Sequence, residues 1–375
     1  MTTKFFKFLL DLLRVNSKKH KTAGFTLIEL LVALIIGSLI ISSLLGLVVD
    51  ILQADRDESA FNETQREMQM ALNYISRELR EAVYVYDANC LTLREQGTRP
   101  TRTTPASEDF CPGLLNHLPI DIRNSRTLTP ILAFWKPEEI RDGDMPNSRI
   151  DAAGAVTCIG IPVDRQQECR DILVKRRTYT LVVYLQSTDS EGTRWSGKTR
   201  IVRYALPHYS DTTRLTVSQG YVSPYNIEES RTFQTWPINI SDGSDMQLGA
   251  GGRPQAPGNR NVLVDFVDAP DANLALDNIR PLECPDDNYI RTPATLPTSP
   301  NNSFYTCVRR VILATTPPRP GEPLRSELRN VNQDVIIYLR GNAVGKQGIK
   351  NERNFRPVLQ TQVLVRGVID KNPQQ

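Results

Sequence analysis

The chain has 375 residues, 40% of them hydrophobic and 23% charged. This balance describes a water-exposed globular body and excludes both a multi-span membrane protein and a disordered chain. The formal net charge of +3 is unevenly spread: Lys4, Lys7, Arg14, Lys18, Lys19 and Lys21 face only Asp11 in the first 24 residues, so the remainder is slightly acidic. A nucleic-acid partner is not expected, because that binding rests on neutralising phosphates.

The first element is the apolar run Phe25–Val49, whose one ionisable side chain is Glu29. At 1.5 Å per residue a helix of this length reaches about 37 Å, enough for a ~30 Å hydrocarbon core. Lys18, Lys19 and Lys21 precede it, and basic flanks stay cytoplasmic, so the body is expected on the outer side of a single span. An ordinary secretory signal places its apolar region before the cleavage site. Here Gly24 and the basic region precede the apolar run, so a cut after Gly24 would leave the helix as the new N-terminus. Glu29 is costly inside such a run, by roughly 2.5–3.5 kcal/mol. A free amine on Phe25, in the same chain or a neighbour, would supply its counter-charge. The plainer alternative is a carboxyl at the membrane edge.

The helix is expected to continue beyond the membrane. No Pro or Gly occurs from Asp50 to Tyr86, and Phe61, Met68, Leu72, Ile75, Leu79 and Val83 recur at helical spacing. Charged residues, Arg77, Glu78, Arg80 and Glu81 among them, are read as solvated on the other faces. After Asp87 short apolar runs alternate with Pro, Asn, Asp and Gly. Residues 97–130 and 137–170 read as long loops, and 242–260 as a mobile Gly-rich stretch. Thr178–Leu185 and Arg200–Leu206 read as a strand pair. Further strands are expected at Val262–Val267, Tyr305–Ala314, Asp334–Arg340 and Pro357–Val368. The fold class is therefore α+β: a long N-terminal helix packed on a mainly antiparallel β body with long loops. The expected division is residues 1–24 as a removable leader, 25–86 as the helix with 25–49 transmembrane, and 87–375 as the β-rich domain.

Cys90, Cys111, Cys158, Cys169, Cys284 and Cys307 all follow the span. An even number in an exported body favours disulfides. The sequential set 90–111, 158–169 and 284–307 is preferred among the alternatives because each pair closes a short Pro-rich or polar loop; free thiols remain open. Zinc is disfavoured, since no Cys-x-x-Cys is present and only His117 and His208 lie outside the leader.

No His-Glu-x-x-His and no Gly-x-Ser-x-Gly occurs, so neither an enzyme nor a cofactor is expected. Gly341–Gln347 is one residue short of a phosphate loop and reads better as a turn. Asp265, Asp268 and Asp271, or Asp286 and Asp287, contain suitable oxygen ligands for calcium but match no calcium-loop spacing.

The combination Gly24-Phe25-Thr26-Leu27-Ile28-Glu29 before an apolar helix and after a basic leader resembles the type IV pilin and pseudopilin N-terminus. The resemblance implies cleavage by a prepilin peptidase between Gly24 and Phe25, N-methylation of Phe25, and a role for Glu29 in subunit docking. It implies other pilins or pseudopilins, an inner-membrane assembly platform and its ATPase as partners. It also implies a periplasmic body on a single-pass inner-membrane anchor. Asn62–Tyr86 with Arg77-Glu78-Leu79-Arg80, and Tyr179–Leu185 paired with a strand ending Val202-Arg203-Tyr204, resemble the larger J-type and W-type minor subunits. The whole is most like the pseudopilins of hormogonium polysaccharide secretion in filamentous cyanobacteria. Two other classes stay open: a surface adhesin for which the pilin start is only an anchor, with long loops that bind a ligand, and a membrane-anchored enzyme of unrecognised type.

Overall fold

The computed structural model describes residues 26–107, 109–150, 154–189, 194–224, 231–248, 256–269, 284–293, 303–309, 333–346, 349 and 356–365. The chain divides into two compact units, Met1–Asp55 and Arg56–Gln375. Helix α1, Leu27–Arg80, contributes its first part to one unit and its second part to the other. Phe25 and the whole expected leader, residues 1–24, lie outside the described residues, as do Asp271 and residues 249–252 of the Gly-rich stretch.

The fold is α+β, a long N-terminal helix followed by antiparallel sheets. Strands β1 (Tyr84–Val85), β2 (Leu128–Glu139), β5 (Arg177–Ser187), β6 (Thr199–Leu206) and β9 (Asn259–Val267) form a five-stranded sheet in the order β1-β2-β5-β6-β9. Strands β10 (Tyr289–Thr292), β11 (Phe304–Arg309), β12 (Asp334–Arg340) and β13 (Val358–Leu364) form a four-stranded sheet in chain order. Two small hairpins, β3–β4 (Ser148–Ile150, Val156–Cys158) and β7–β8 (Tyr209–Asp211, Thr216–Val217), complete the strands among the described residues.

The apolar stripe of the helix accounts for the central packing. Met68, Leu72, Ile75 and Leu79 join Leu132, Phe134, Val182 and Ile201 of the larger sheet and Phe304, Val335, Ile337 and Val363 of the smaller one in one core. The opposite face of the larger sheet is also buried, with Trp135, Leu181, Val183, Leu185, Tyr204 and Trp236 in a second core. Burial on both faces explains why Leu181–Leu185 is a continuous apolar run without polar alternation. The sheets meet where Val267 bridges Gly341, the Asp268 amide donates to the Arg340 carbonyl at 2.9 Å, and the Asn342 amide donates to the Phe266 carbonyl at 2.8 Å.

Several expectations need correction. The helix ends at Arg80, and Val83 already belongs to the extended segment whose amide donates to the Trp135 carbonyl. Strand β2 takes in the last three residues of the first expected loop, the first three of the second and the unassigned stretch between them, and it pairs with β5 along its length. Pro130 and Pro137 argue against a strand in isolation, since proline cannot donate to a ladder. Both fall where the backbone nitrogen faces away from β5, as the bonds of the Thr188 amide to the Thr127 carbonyl and of the Val83 amide to the Trp135 carbonyl establish. A register shift between Pro130 and Leu132 absorbs the change of phase. The second expected loop contains β3, β4 and helix α2, Gln166–Lys175. Residues 259 and 260, read as part of a mobile stretch, begin β9.

Candidate functional site

The segment that carries the functional signal is the first part of α1. Every large apolar side chain from Leu27 to Leu52 is exposed, and the only charges in that interval are Glu29 and Asp50. The helix is long and apolar enough to cross a membrane. A continuous apolar surface of this extent marks a lipid or protein contact.

The start of this helix is built by Thr26. Its carbonyl accepts the amides of Glu29 at 3.0 Å and Leu30 at 3.2 Å, and its hydroxyl lies 3.4 Å from the Glu29 amide. Glu29 is thus the third helical residue behind a Thr cap, the Thr-x-x-Glu spacing of a capping box. Its carboxylate also sits at the positive end of the helix dipole. In the sequence Glu29 stands out by its charge and Thr26 does not; the signal for Thr26 is its three-residue spacing to Glu29.

The second part of the helix is held to the body by a polar knot inside the apolar stripe. Glu78, read from sequence as a solvated charge, is buried. Arg203 on β6 grips it with two bonds, Nε to Oε2 and Nη2 to Oε1, both at 2.8 Å. Lys136 Nζ on β2 lies 2.7 Å from Oε1, and the Tyr184 hydroxyl on β5 donates to Oε2 at 2.5 Å. Burial alone would raise the carboxyl pKa; the bonds from Arg203, Lys136 and Tyr184 outweigh it and hold it at about 2. Burial, then the Glu78 charge, pushes the Tyr184 hydroxyl far above its ordinary value. The pattern Arg77-Glu78-Leu79-Arg80 does not itself reveal these partners, which come from three strands.

A second contact sits beside Gly341. A Cβ built there would meet Met68 Cγ and Thr64 Cγ2 at 3.0 Å, so the glycine lets the helix approach the sheets closely. Lys346, the lysine of the phosphate-loop-like segment, lies 3.0 Å from Glu67 and 3.3 Å from Glu63 on the helix. The segment is therefore a helix contact and not a phosphate cradle.

Three disulfides clip the body: Cys90–Cys111, Cys158–Cys169 and Cys284–Cys307. The histidines are occupied elsewhere. His117 Nδ1 lies 3.0 Å from Gln247 Oε1, and His208 stacks on Tyr209 and Tyr221. Burial depresses the His208 pKa to about 4, against a weaker opposing pull from Glu168, so the ring is neutral at pH 7. Asp265 accepts the Gly197 amide at 2.9 Å and faces Arg200, while Asp268 lies 2.7 Å from Arg340 and 3.5 Å from Arg356. Asp286 accepts the Asn288 amide at 2.7 Å in a turn. Among the described residues no cluster of His, Cys, Asp and Glu is arranged to hold a metal.

The chain matches the family model described as the Prokaryotic N-terminal methylation motif over residues 19–45. That interval takes in the end of the basic leader, Gly24, Phe25, Glu29 and the first turns of α1. The motif supports a pilin- or pseudopilin-like subunit, structural in character, anchored in the membrane by one helix. No curated protein and no solved structure matches the chain.

Proposed function

We propose that the chain is a minor pseudopilin or pilin-like structural subunit of a filament related to type II secretion or type IV pili. The observation that carries this reading is the methylation motif at residues 19–45 leading into a helix whose large apolar side chains are all exposed from Leu27 to Leu52. On this reading residues 1–24 are a leader removed by a prepilin peptidase and Phe25 is N-methylated. The apolar helix waits in the inner membrane until it enters a bundle of like helices. The body, on the periplasmic side, rides on the second part of the helix, held by Glu78 and Gly341. The three disulfides suit an oxidising compartment.

The finer assignment follows from resemblance. The Arg77–Arg80 segment and the β5–β6 pair favour a J-type or W-type minor subunit working with an assembly platform and its ATPase. Polysaccharide export of the kind found in filamentous cyanobacteria is the cargo class we favour. In the bundle, Glu29 meets the Phe25 amine of a neighbour, and a buried charge pair of this sort sets register more than it adds strength. The test is recovery of other pilin-like subunits and platform proteins with the tagged full chain after cross-linking in its native membrane. Specific recovery of such subunits supports the reading; recovery of none contradicts it.

A further inference from the structure

The sheet edges are treated unequally. The β1 edge is closed by a side chain: Gln333 accepts the Val85 amide at 3.0 Å and donates to the Val85 carbonyl at 3.0 Å. β9 is interrupted by register shifts, carries Arg260 and Asp265, and is bridged at Val267 to Gly341. β10 has four residues, one of them Arg291. These are the ordinary means by which a protein prevents strand pairing at its edges.

β13 has none of them. Val358-Leu359-Gln360-Thr361-Gln362-Val363-Leu364 contains no charge, proline or glycine, and pairs with β12 without a register shift from Arg340↔Val358 to Asp334↔Leu364. Among the described residues no strand pairs with its outer side. The Val365 amide donates to the Gln333 carbonyl and the Gly341 amide to the Pro357 carbonyl, so odd-numbered residues turn their backbone groups towards β12. The amides and carbonyls of Val358, Gln360, Gln362 and Leu364 therefore point outward. Their side chains share the exposed face, with Val358 50% and Leu364 61% accessible.

The sequence of this edge is nearly the same read in either direction about Thr361. Gln360 mirrors Gln362, Leu359 mirrors Val363, and Val358 mirrors Leu364. We propose that β13 is a homodimerisation edge, pairing antiparallel with β13 of a second copy across a two-fold axis at Thr361. In that register each residue meets its own kind. Val358 lies opposite Leu364 of the second copy, Gln360 opposite Gln362 of the second copy, and Thr361 opposite itself. The parity also fits: the residues that face each other as hydrogen-bonded pairs are the even-numbered ones, whose backbone groups already point outward. About eight inter-chain backbone bonds result. A self-complementary patch is what a two-fold interface requires. The proposal stands on the edge strand and does not depend on the filament reading.

Thr361 on the axis is a non-hydrogen-bonded pair, with Cα atoms about 4.5 Å apart, inside the range a disulfide spans. All six native cysteines are already paired, so an introduced thiol has no free native partner. The experiment uses the full chain in its own membrane under mild oxidation. Thr361→Cys is expected to give a disulfide-linked dimer, and the more exposed but off-axis Gln360→Cys is expected to give little, a difference of tenfold or more. In the Thr361→Cys background, Val358→Lys with Leu364→Lys places like charges opposite each other and is expected to abolish the dimer. Val358→Lys with Leu364→Glu places opposite charges there and is expected to retain it. Both pairs of changes are at exposed side chains, so the fold is spared, and intact native disulfides check this. No dimer with Thr361→Cys, cross-linking that follows exposure instead of the axis, or equal dimer in the two charge variants would overturn the proposal. The first result is also what pairing of β13 with a segment of its own chain or with a different protein would produce.

Discussion

Arg203 grips Glu78 through two parallel hydrogen bonds of 2.8 Å, and the pair joins strand β6 to the last turns of α1 inside the apolar core. Lys136 adds a second cation and Tyr184 a hydroxyl, so the single carboxylate anchors three strands to one helix position. An apolar stripe alone permits the helix to slide or rotate by small amounts; a bidentate fork does not.

Removing Glu78 should therefore be costly. Glu78→Gln leaves Arg203 and Lys136 in a buried site without their counter-charge, and loss of one partner from such a pair typically costs about 3–5 kcal/mol. Lys136→Met, which leaves the Arg203 fork intact, should cost clearly less. Thermal unfolding of the detergent-extracted full chain compares the two. Equal, small losses would show that the knot contributes little.

The same carboxylate gives the body an acid limit. Its pKa is held at about 2, below the 4.5 of a free Glu, so it binds fewer protons when folded than when unfolded. Its stabilisation is complete above about pH 4.5 and is lost as pH falls towards 2, by on the order of 3 kcal/mol. Denaturant unfolding at stepped pH should show this loss in wild type and a smaller one in Glu78→Gln.

Gly341 tests the close approach of helix and sheets. Gly341→Leu must displace Met68 or Thr64 of the helix, and overpacking of this kind typically costs about 1–3 kcal/mol. Gly341→Ala should be milder, because only a few tenths of an ångström must be yielded. A shift in the unfolding midpoint reads both. A neutral Gly341→Leu would mean the helix is not seated there.

These contacts mark how far the sequence could be read. The spacing of Met68, Leu72, Ile75 and Leu79 was legible because one helix carries it, and Asp334–Arg340 was legible as an unbroken β run. β2 was not, because Pro130 and Pro137 contradict a strand unless one knows which side of each residue has a neighbour. Glu78 was read as solvated because its partners lie 58 to 125 positions away in the chain, and one-dimensional spacing carries no such information. For the functional segment, Glu29 is legible as a charge in an apolar run, while Thr26 is marked only by its three-residue spacing to Glu29, which gains meaning once the helix start is placed.

The disulfides give a further check. Non-reducing peptide mapping should recover Cys90–Cys111, Cys158–Cys169 and Cys284–Cys307. Replacing Cys284 and Cys307 together should destabilise the body, typically by about 2–5 kcal/mol in small secreted domains. A large apolar core should place the loss at the lower end. Six alkylatable thiols in the exported protein would contradict the pairing.

Glu29→Leu separates processing from assembly. Glu29 follows the proposed cut, so cleavage should be normal, and a more apolar span should insert at least as well. Incorporation beside partner pilins should fall. Equal recovery of tagged partners with wild type and variant would leave Glu29 only its place in the Thr26 cap.

The most direct measurement is the intact mass and N-terminal sequence of the protein extracted from its native membrane. A prepilin-type subunit should begin at Phe25 and carry the mass of one additional methyl group, and Gly24→Leu should accumulate as an uncut precursor that remains in the membrane. A mature chain beginning at Met1, or near Asp55 with the apolar helix removed, would contradict the account.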